Sequence, residues 1–507
     1  MVSTGRELGL YERFSLTRAN VSVAPSVVLY ASFKSEAEST SGSKAAALER
    51  AIGDLLNEFP LLRSRIEGRY TRTPRFVERD ATNVSDILDV VRDNDSLARV
   101  EGSPSPDEVL TTRLGAGLHQ ANEMDVSVGP LWKVLHHDRK EEQSIVLVMH
   151  HTLSDGLGAK NLFAQIVQRV TRPDETQVQN PSLPISFEHI PQSQEQSVPG
   201  LKRMHWSFMA GMMWAEVIRP FLPFRLIASK RATVLPNPPF VPPYQQLTEL
   251  RIIRLPNELM ARIKARARAN GVSTLHPVLL TALFASLLSH RNNRDDEKDL
   301  MMDEILLETP VSVRDVALGH PITTGNYVAA ISTPPSFKAA TLSTRFYSLT
   351  RSCASYLSSP VERTRAEQMM LTLSLVPDPA SAAEAPVEQG TGWETWLRKK
   401  MENEVGTWSC TIDASNLGVF PVPKDVAEEI EVLGWAQPGS AMGAAIGSNI
   451  MSSPANGGEL VVTLCYRRGT IKDALLDHIC GNFPRVLERL GRADDSDEGI
   501  TLADLTK

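Results

Sequence analysis

The chain has 507 residues, 42% of them hydrophobic and 22% charged, with a formal net charge of −7 and a pI near 5.9. This composition excludes global disorder, and the acidic balance offers no field that would gather nucleic acid or another polyanion. The length exceeds the size at which one hydrophobic core keeps growing, so two lobes of roughly 200 to 250 residues each are expected.

The N-terminal stretch Met1 to Leu10 contains Arg6 and Glu7 and no apolar run, so no secretory signal is visible. Residues Ala45 to Asn57 place Leu48, Ile52, Leu55 and Leu56 at helical spacing, and Phe59-Pro60 ends that helix ahead of a strand over Leu61–Ile66. The pair His136-His137, followed by Asp138 and the polar run Arg139 to Glu142, predicts an exposed hairpin. Ser144 to His150 is apolar on both faces, as expected of a central strand covered on each side. Leu157, Leu162, Phe163, Ile166, Val167 and Val170 then mark an amphipathic helix.

From Arg172 to Gly200 the chain turns to Pro, Ser, Gln and Glu without periodicity, and prolines cluster again from Val234 to Gln246. Between them lies an apolar segment, Trp206 to Ile227, interrupted by Glu216, Arg219 and prolines before it reaches the ~20 residues that span a bilayer. Flanking Lys202, Arg203, Arg225, Lys230 and Arg231 also suit an interfacial anchor, whereas the plainer expectation is a helix packed on a lobe or lining a tunnel.

The second half opens with a helix after Leu255-Pro256 that stops at Asn270-Gly271, and a further helix containing Leu279, Leu283 and Leu287 is expected to be capped by Ser273 or Thr274. Ile305–Arg314, Ser409–Asp413 and Leu460–Tyr466 read as strands, and Ile471–Leu490 as a helix interrupted near Gly481 and Pro484. Helix and strand alternate in both halves, giving an α/β class, with residues 1–200 as the first lobe, 201–246 as the crossover and 247–507 as the second lobe.

Four cysteines, Cys353, Cys410, Cys465 and Cys480, lack C-x-x-C spacing, so neither a disulfide scaffold nor a thiolate zinc site is expected and a reducing, cytoplasmic compartment fits. No HExxH, P-loop or strand-linked GxGxxG occurs, which leaves metal, nucleotide and dinucleotide chemistry without support.

The chemistry concentrates in His150-His151-Thr152-Leu153-Ser154-Asp155-Gly156, directly behind the apolar run Ile145–Met149. A strand ending on a histidine and followed at once by a helix start holds an imidazole rigidly for proton transfer, with structural burial as the competing explanation. Asp155, at the helix start, is placed to accept backbone N–H bonds or to pair with an arginine, for which Arg63 and Arg65 are two candidates. Gly156 supplies either space or an unusual backbone angle. His276, near a helix start, reads as packing or capping.

HHTLSDG at 150–156 resembles the HHxxxDG signature of the coenzyme-A-dependent acyltransferase superfamily, which includes chloramphenicol acetyltransferase, nonribosomal-peptide condensation domains and plant BAHD acyltransferases. Arg6-Glu7-Leu8-Gly9-Leu10-Tyr11-Glu12-Arg13-Phe14, Gly271-Val272-Ser273-Thr274-Leu275-His276, Thr309-Pro310-Val311-Ser312-Val313-Arg314 and Gly325-Asn326-Tyr327 resemble the fungal alcohol acetyltransferase family more closely. The plant-type DFGWG motif is missing, with Val432-Leu433-Gly434-Trp435 its vague echo.

The resemblance implies two chloramphenicol-acetyltransferase-like lobes around a tunnel, entered by acyl-coenzyme A from one side and by the acceptor from the other. It implies a catalytic role for His151, a structural role for Asp155 with Arg314 as its partner, and packing or orientation for His150. Ser415-Asn416-Leu417-Gly418 resembles the segment facing the histidine in relatives, with a plain turn as the alternative, and Ser448-Asn449 is open in the same way. Ser415, Asn416, Asn326 and Ser448 are the candidate donor- or substrate-binding residues.

The expected activity is transfer of an acetyl or short acyl group from acetyl-coenzyme A, a co-substrate and not a resident cofactor, to a small-molecule alcohol, with a terpenoid or polyketide of secondary metabolism as a candidate acceptor. No metal is expected. A monomer is expected, with peripheral contact to an ER or lipid-droplet membrane through residues 206–227 as an alternative setting. A condensation-type enzyme using a carrier-protein thioester with an amine or alcohol is the second enzymatic reading, and a binding protein that keeps the fold without turnover is the reading of another class.

Overall fold

Alternation of side chains along a strand explains how the first half is organised. In the computed structural model the described residues are 5–23, 25–34, 41–91, 104–138, 143–172, 184–197, 204–214, 248–292, 305–378, 390–404, 410–439, 443–454, 458–492 and 499–507. A five-stranded sheet runs in the order Ile430–Ala436, Ser26–Phe33, Gln143–His150, Trp132–Asp138, Leu88–Val91. Its central strand, Gln143–His150, pairs antiparallel on both sides.

One face of this sheet presents Val27, Leu29, Ile145, Leu147 and Met149 to the helices Ser41–Glu58 and Gly156–Thr171. The other presents Val28, Tyr30, Val146 and Val148 to the helix Pro106–Asn122 through Leu110, Leu114 and Leu118. Both faces are dry, which is why the strand sequence shows apolar residues at every position instead of every second one.

The second sheet has six strands in the order Val328–Ile331, Leu307–Ser312, Cys410–Val419, Ala444–Ser452, Leu460–Arg467, Thr248–Leu255. Cys410–Val419 lies parallel to both of its neighbours. Helices Asn257–Ala269, His276–Asn292, Phe346–Ser358 and Asp473–Arg492 cover one face and bury Leu279, Leu283, Leu287, Ile479, Phe483 and Leu487 against it.

Two features tie the sheets together. The core around helix Pro106–Asn122 also takes in Leu250, Val461 and Cys465 of the second sheet. In addition, Ile430–Ala436 leaves the second half of the chain to pair antiparallel with Ser26–Phe33. Sheet membership therefore cuts across the sequence division at residue 247. The architecture is the expected mixed α/β arrangement of two lobes.

Several local expectations are corrected. His136 and His137 lie in the strand Trp132–Asp138 and are buried, because that strand is paired on both sides. The strand expected at 61–66 begins later, at Ser64, after a 3-10 turn over Pro60–Arg63. The helix containing Leu279 starts at His276, with the Leu275 carbonyl accepting from Val278 and Leu279 N–H, so neither Ser273 nor Thr274 occupies its cap position. The closing helix runs unbroken from Asp473 to Arg492 through Gly481 and Pro484, held by the apolar face from Leu475 to Leu490.

Among the described residues no helix is long and apolar enough to cross a membrane. Trp206–Met212 forms a short helix with Trp206 exposed. Residues 215–227, the flanking Lys202, Arg203, Arg225, Lys230 and Arg231, and the proline cluster 234–246 lie outside the described residues, as does the turn 139–142.

Gly117 marks the tightest contact between helix and sheet in the first lobe. A Cβ there would sit 2.5 Å from Val28 Cγ1 and 3.2 Å from Val146 Cγ1, inside van der Waals contact with two branched side chains that cannot rotate away. Gly117→Ala is expected to lower stability by about 1–3 kcal/mol through overpacking, despite the better helix propensity of alanine. Chemical denaturation of the variant checks this, and a rise in the midpoint would contradict it.

Candidate active site

The turn after the central strand is shaped by backbone bonds. His150 N–H donates to the Leu131 carbonyl at 2.9 Å, His151 N–H to Pro25 at 3.0 Å, and Leu153 N–H back to His150 at 2.9 Å. His150 is buried, its Nδ1 accepting from Thr152 N–H at 3.2 Å, and burial with the neighbouring His151 lowers its pKa to about 3. Its imidazole is neutral near pH 7, and it does not line the cavity described next.

His151 reaches the opposite environment. It lines a cavity of about 1570 Å³ together with Asp155, Gly156, Leu417, Ser415, Asn416 and Trp435. Desolvation first, and then the charge of Arg18, lower the imidazole pKa to about 4, while its own carbonyl and Asp155 oppose the shift. The ring is neutral at physiological pH. Asn326 donates from Nδ2 to the His151 carbonyl at 2.8 Å, and the same amide lies 3.2 Å from Nδ1, a hydrogen bond only in the tautomer that leaves Nδ1 unprotonated.

Asp155 caps the helix Gly156–Thr171, its Oδ1 accepting from Gly158 N–H at 2.8 Å. Its Oδ2 accepts from Tyr327 N–H at 2.8 Å and from Arg314 Nη2 at 2.9 Å, so both oxygens are committed. The side chains of Asp155 and Arg314 are each only 4% exposed. Arg314 also donates to the carbonyls of Pro321, Thr324 and Gly325 and lies over the Tyr327 ring. Arg63 and Arg65, the other candidates, pair instead with Glu78 and Glu67.

The Gly325-Asn326-Tyr327 segment is thus docked on the histidine turn from the other half of the chain. Gly325 N–H donates to Leu153 at 2.9 Å, and Ser154 and Gly325 form a parallel bridge. Gly325 has φ of +79°, a left-handed value that explains the glycine.

Gly156 has no left-handed backbone; its contribution is space, since a Cβ would meet Leu417 Cδ2 at 3.1 Å on the cavity wall. Gly158 is the more constrained glycine and was not singled out by sequence. A Cβ there would collide with Ser154 Oγ and lie 2.9 Å from Arg314 Nη2. Lys160 was missed too: buried, with its pKa lowered to about 8 by desolvation, it donates to the Leu417 and Val419 carbonyls and fixes the strand Cys410–Val419 against the histidine helix.

Ser415 and Asn416 lie within that strand, so the turn alternative is overturned, and both line the cavity. Asn416 Oδ1 accepts from Gly418 N–H at 2.9 Å, and its Nδ2 lies 3.4 Å from His276 Nδ1. His276 also contacts Thr309 Oγ1 at 3.2 Å and stands outside the cavity lining, consistent with packing. Ser448 does not reach the cavity: its register partners Ala414 and Leu464 belong to the helix-packed core, and it shares their face. Asn326 is buried behind His151 and touches it without lining the cavity.

The wall facing His151 includes Tyr11, Phe14 and Arg18 of the helix Leu10–Asn20, so the N-terminal motif is part of the site. Only the conjunction of that motif with the histidine turn would have placed it there, since the helix has little amphipathic pattern of its own.

Asp155→Asn removes the charge that Arg314 was buried to meet, and loss of one partner of a buried pair costs about 3–5 kcal/mol. The expected result is a clearly lowered thermal midpoint, with activity falling further than the folded fraction because Tyr327 and Asn326 lose their anchor. An unchanged midpoint in scanning calorimetry would contradict this.

The described residues contain no group of three or more His, Cys, Asp or Glu side chains arranged to hold a metal ion. Among solved structures, the chain is similar to the condensation domain of the monacolin K polyketide synthase, at 12% identity, TM-score 0.60 and 99% coverage of both chains. It is also similar to the epimerization domain from the third module of tyrocidine synthetase B, at 13% identity, TM-score 0.58 and 97% coverage of both. Polyketide synthase associated protein 5 from Mycobacterium tuberculosis matches at 15% identity and TM-score 0.58, over 96% of this chain and 99% of that one. At these identities the likeness establishes the fold. No curated protein sequence matches. A family model described as alcohol acetyltransferase matches residues 119–487, which is most of the chain and includes the histidine turn, Arg314 and the Gly325-Asn326-Tyr327 segment. The chain belongs to the alcohol acetyltransferase family.

Proposed function

We propose that this protein transfers an acetyl or other short acyl group from acyl-coenzyme A to the hydroxyl of a small-molecule alcohol, with His151 as general base. The observation that carries the proposal is the division of roles in the site. His151 presents a neutral imidazole to the cavity, while both oxygens of Asp155 are consumed by Gly158, Tyr327 and Arg314.

With its proton on Nδ1, turned to its own carbonyl, His151 leaves the Nε2 lone pair as base, and the Asn326 amide then bonds to the carbonyl oxygen alone. Nε2 takes the proton of the acceptor hydroxyl as its oxygen attacks the thioester carbon. The tetrahedral intermediate then expels the thiolate, which receives that proton from the imidazolium. The C–O bond replaces the C–S bond, the products are ester and free thiol, and no acyl-enzyme is needed. Ser415 and Asn416, on the wall that shares the cavity with His151, are the polar groups available to orient donor and acceptor.

Met209, Met212, Met213, Met369, Met370 and Leu373 line another part of the same cavity. Flexible thioethers adapt to varied hydrocarbon shapes, which supports an acceptor with a terpenoid- or polyketide-like body. The likeness to condensation domains supports a second reading, with a carrier-protein thioester as donor and an amine or alcohol as nucleophile. Mixing the pure protein with acetyl-coenzyme A and candidate alcohols while following free thiol separates the two. Turnover only with an acyl-loaded carrier protein would overturn the coenzyme-A assignment, and ligand binding without product in either assay would favour a non-catalytic role.

His151→Ala is expected to preserve the fold and reduce kcat by about a hundredfold to ten-thousandfold; near-normal rates would remove His151 from the mechanism. The pH profile offers an independent check. With the imidazole pKa lowered to about 4, kcat/KM is expected to be level near neutrality and to fall only as pH drops toward that value, where the base becomes protonated. Arg18→Met removes a cation that disfavours imidazolium, so the acid limb moves up toward the ordinary histidine value of about 6.5. A limb unmoved in Arg18→Met would exclude this electrostatic role.

A further inference from the structure

Beyond His151 the cavity holds Tyr11, Glu308 and Asp413, polar side chains that the acyl-transfer mechanism does not use, beside Arg18 and Ser415, which it does. Glu308 and Asp413 are register partners on the adjacent parallel strands Leu307–Ser312 and Cys410–Val419, so they project from the same face of the sheet. Ser415, two residues on, shares that face, whereas Ile412 and Ala414 turn to the helix-packed core. Across the cavity stand Tyr11 and Arg18, and all five residues line it.

None of these five side chains has a hydrogen-bond partner among the described residues. The buried Oδ1 of Asp413 has none, and Ser415, only 6% exposed, makes none through its hydroxyl. Buried polar atoms are satisfied in the great majority of cases, so the unpaired Oδ1 of Asp413, in a cavity that four further polar side chains line without a hydrogen bond to a described residue, requires an explanation. The structural details provide room for a ligand group. The register partner of Asp413 on its other side is Gly447, which also lines the cavity, and a Cβ there would have nothing nearer than 3.7 Å. The sheet floor beside Asp413 is therefore open.

Charge narrows the chemistry. Arg18 offsets Asp413, and Lys400 acts on Glu308, so there is no surplus negative charge to hold an ammonium group. Burial and the adjacent Glu308 push the Asp413 carboxyl up to about 8, so the pair retains a proton at neutral pH. An anion would face two carboxyl groups and an ammonium would face Arg18. A hydroxyl both donates and accepts and meets neither penalty. The recess also adjoins the reaction centre, since Arg18 acts on both His151 and Asp413.

We propose that Tyr11, Arg18, Glu308, Asp413 and Ser415 form a second polar subsite that binds a neutral hydroxyl of the acceptor other than the one acylated, so that preferred acceptors are apolar molecules bearing two hydroxyls. This rests on the acyltransferase reading for the word acceptor, but binding itself does not depend on turnover.

Isothermal titration of the full chain with 1,8-octanediol and 1,10-decanediol against 1-octanol and 1-decanol tests it. The expected result is a roughly tenfold tighter Kd for a diol than for its matched mono-alcohol, the worth of about one good hydrogen bond. That preference should shrink to within about twofold in Asp413→Ala and in Ser415→Ala. Asp413→Asn, nearly isosteric, keeps the test open should the alanine variant at 413 not fold. Equal affinity for diols and mono-alcohols in the wild type, or a preference surviving both alanine variants, would overturn the subsite and assign these groups to solvent alone. Thiol release from acetyl-coenzyme A with the same probes is followed separately. Its failure would count against acyl transfer, while the affinity ratio still decides the subsite.

Discussion

The buried ion pair between Asp155 and Arg314 is the interaction on which the site depends. It joins a carboxylate at the start of a helix in the first lobe to an arginine just beyond a strand of the second, with each side chain almost wholly excluded from water. Such a pair is stable only when its remaining hydrogen-bonding capacity is met, and here Gly158, Tyr327, Thr324 and Gly325 meet most of it. Those partners also bring Asn326 against His151. One electrostatic contact thereby fixes the mutual placement of two chain halves and of the imidazole between them.

The same desolvation acts in opposite senses on acids and bases, and the cavity exploits both. It drives His151 toward the neutral imidazole and Asp413 toward the neutral carboxyl, since in each case the charged form loses its hydration. Arg18 then discriminates between them, disfavouring imidazolium while favouring carboxylate. A cavity built this way presents a neutral imidazole without a strong local charge, as the proposed transfer to a neutral alcohol requires. Its methionine-rich portion matches such an acceptor.

Much of this was legible in the sequence. The apolar run Ile145–Met149 followed by two histidines announced a central strand ending at the site, and the position of Asp155 announced a helix cap. The pairing with Arg314 came from motif resemblance, because local spacing left Arg63 and Arg65 equally open. Other features were illegible for stated physical reasons. His136 and His137 look like turn residues until pairing on both edges of their strand buries them. Ser448 looks equivalent to Ser415, but strand pleating sends the two hydroxyls to opposite faces, and only the register with Ala414 reveals it. Pro484 looks like a break, yet the packing of Phe483 and Leu487 in the second core carries the helix through it.

What the sequence alone determined is the local chemistry: a rigidly presented histidine, an aspartate at a helix start, and the alternation of helix and strand in two halves. These follow from neighbours in the chain, where backbone geometry and side-chain periodicity are sufficient causes. Only the tertiary structure decided which arginine meets Asp155, that Ile430–Ala436 completes the sheet of the first lobe, and that Tyr11, Arg18, Glu308 and Asp413 share a cavity with His151. Those are contacts between segments more than a hundred residues apart, and they are selected by burial and charge compensation in the assembled fold, terms that have no counterpart in local sequence.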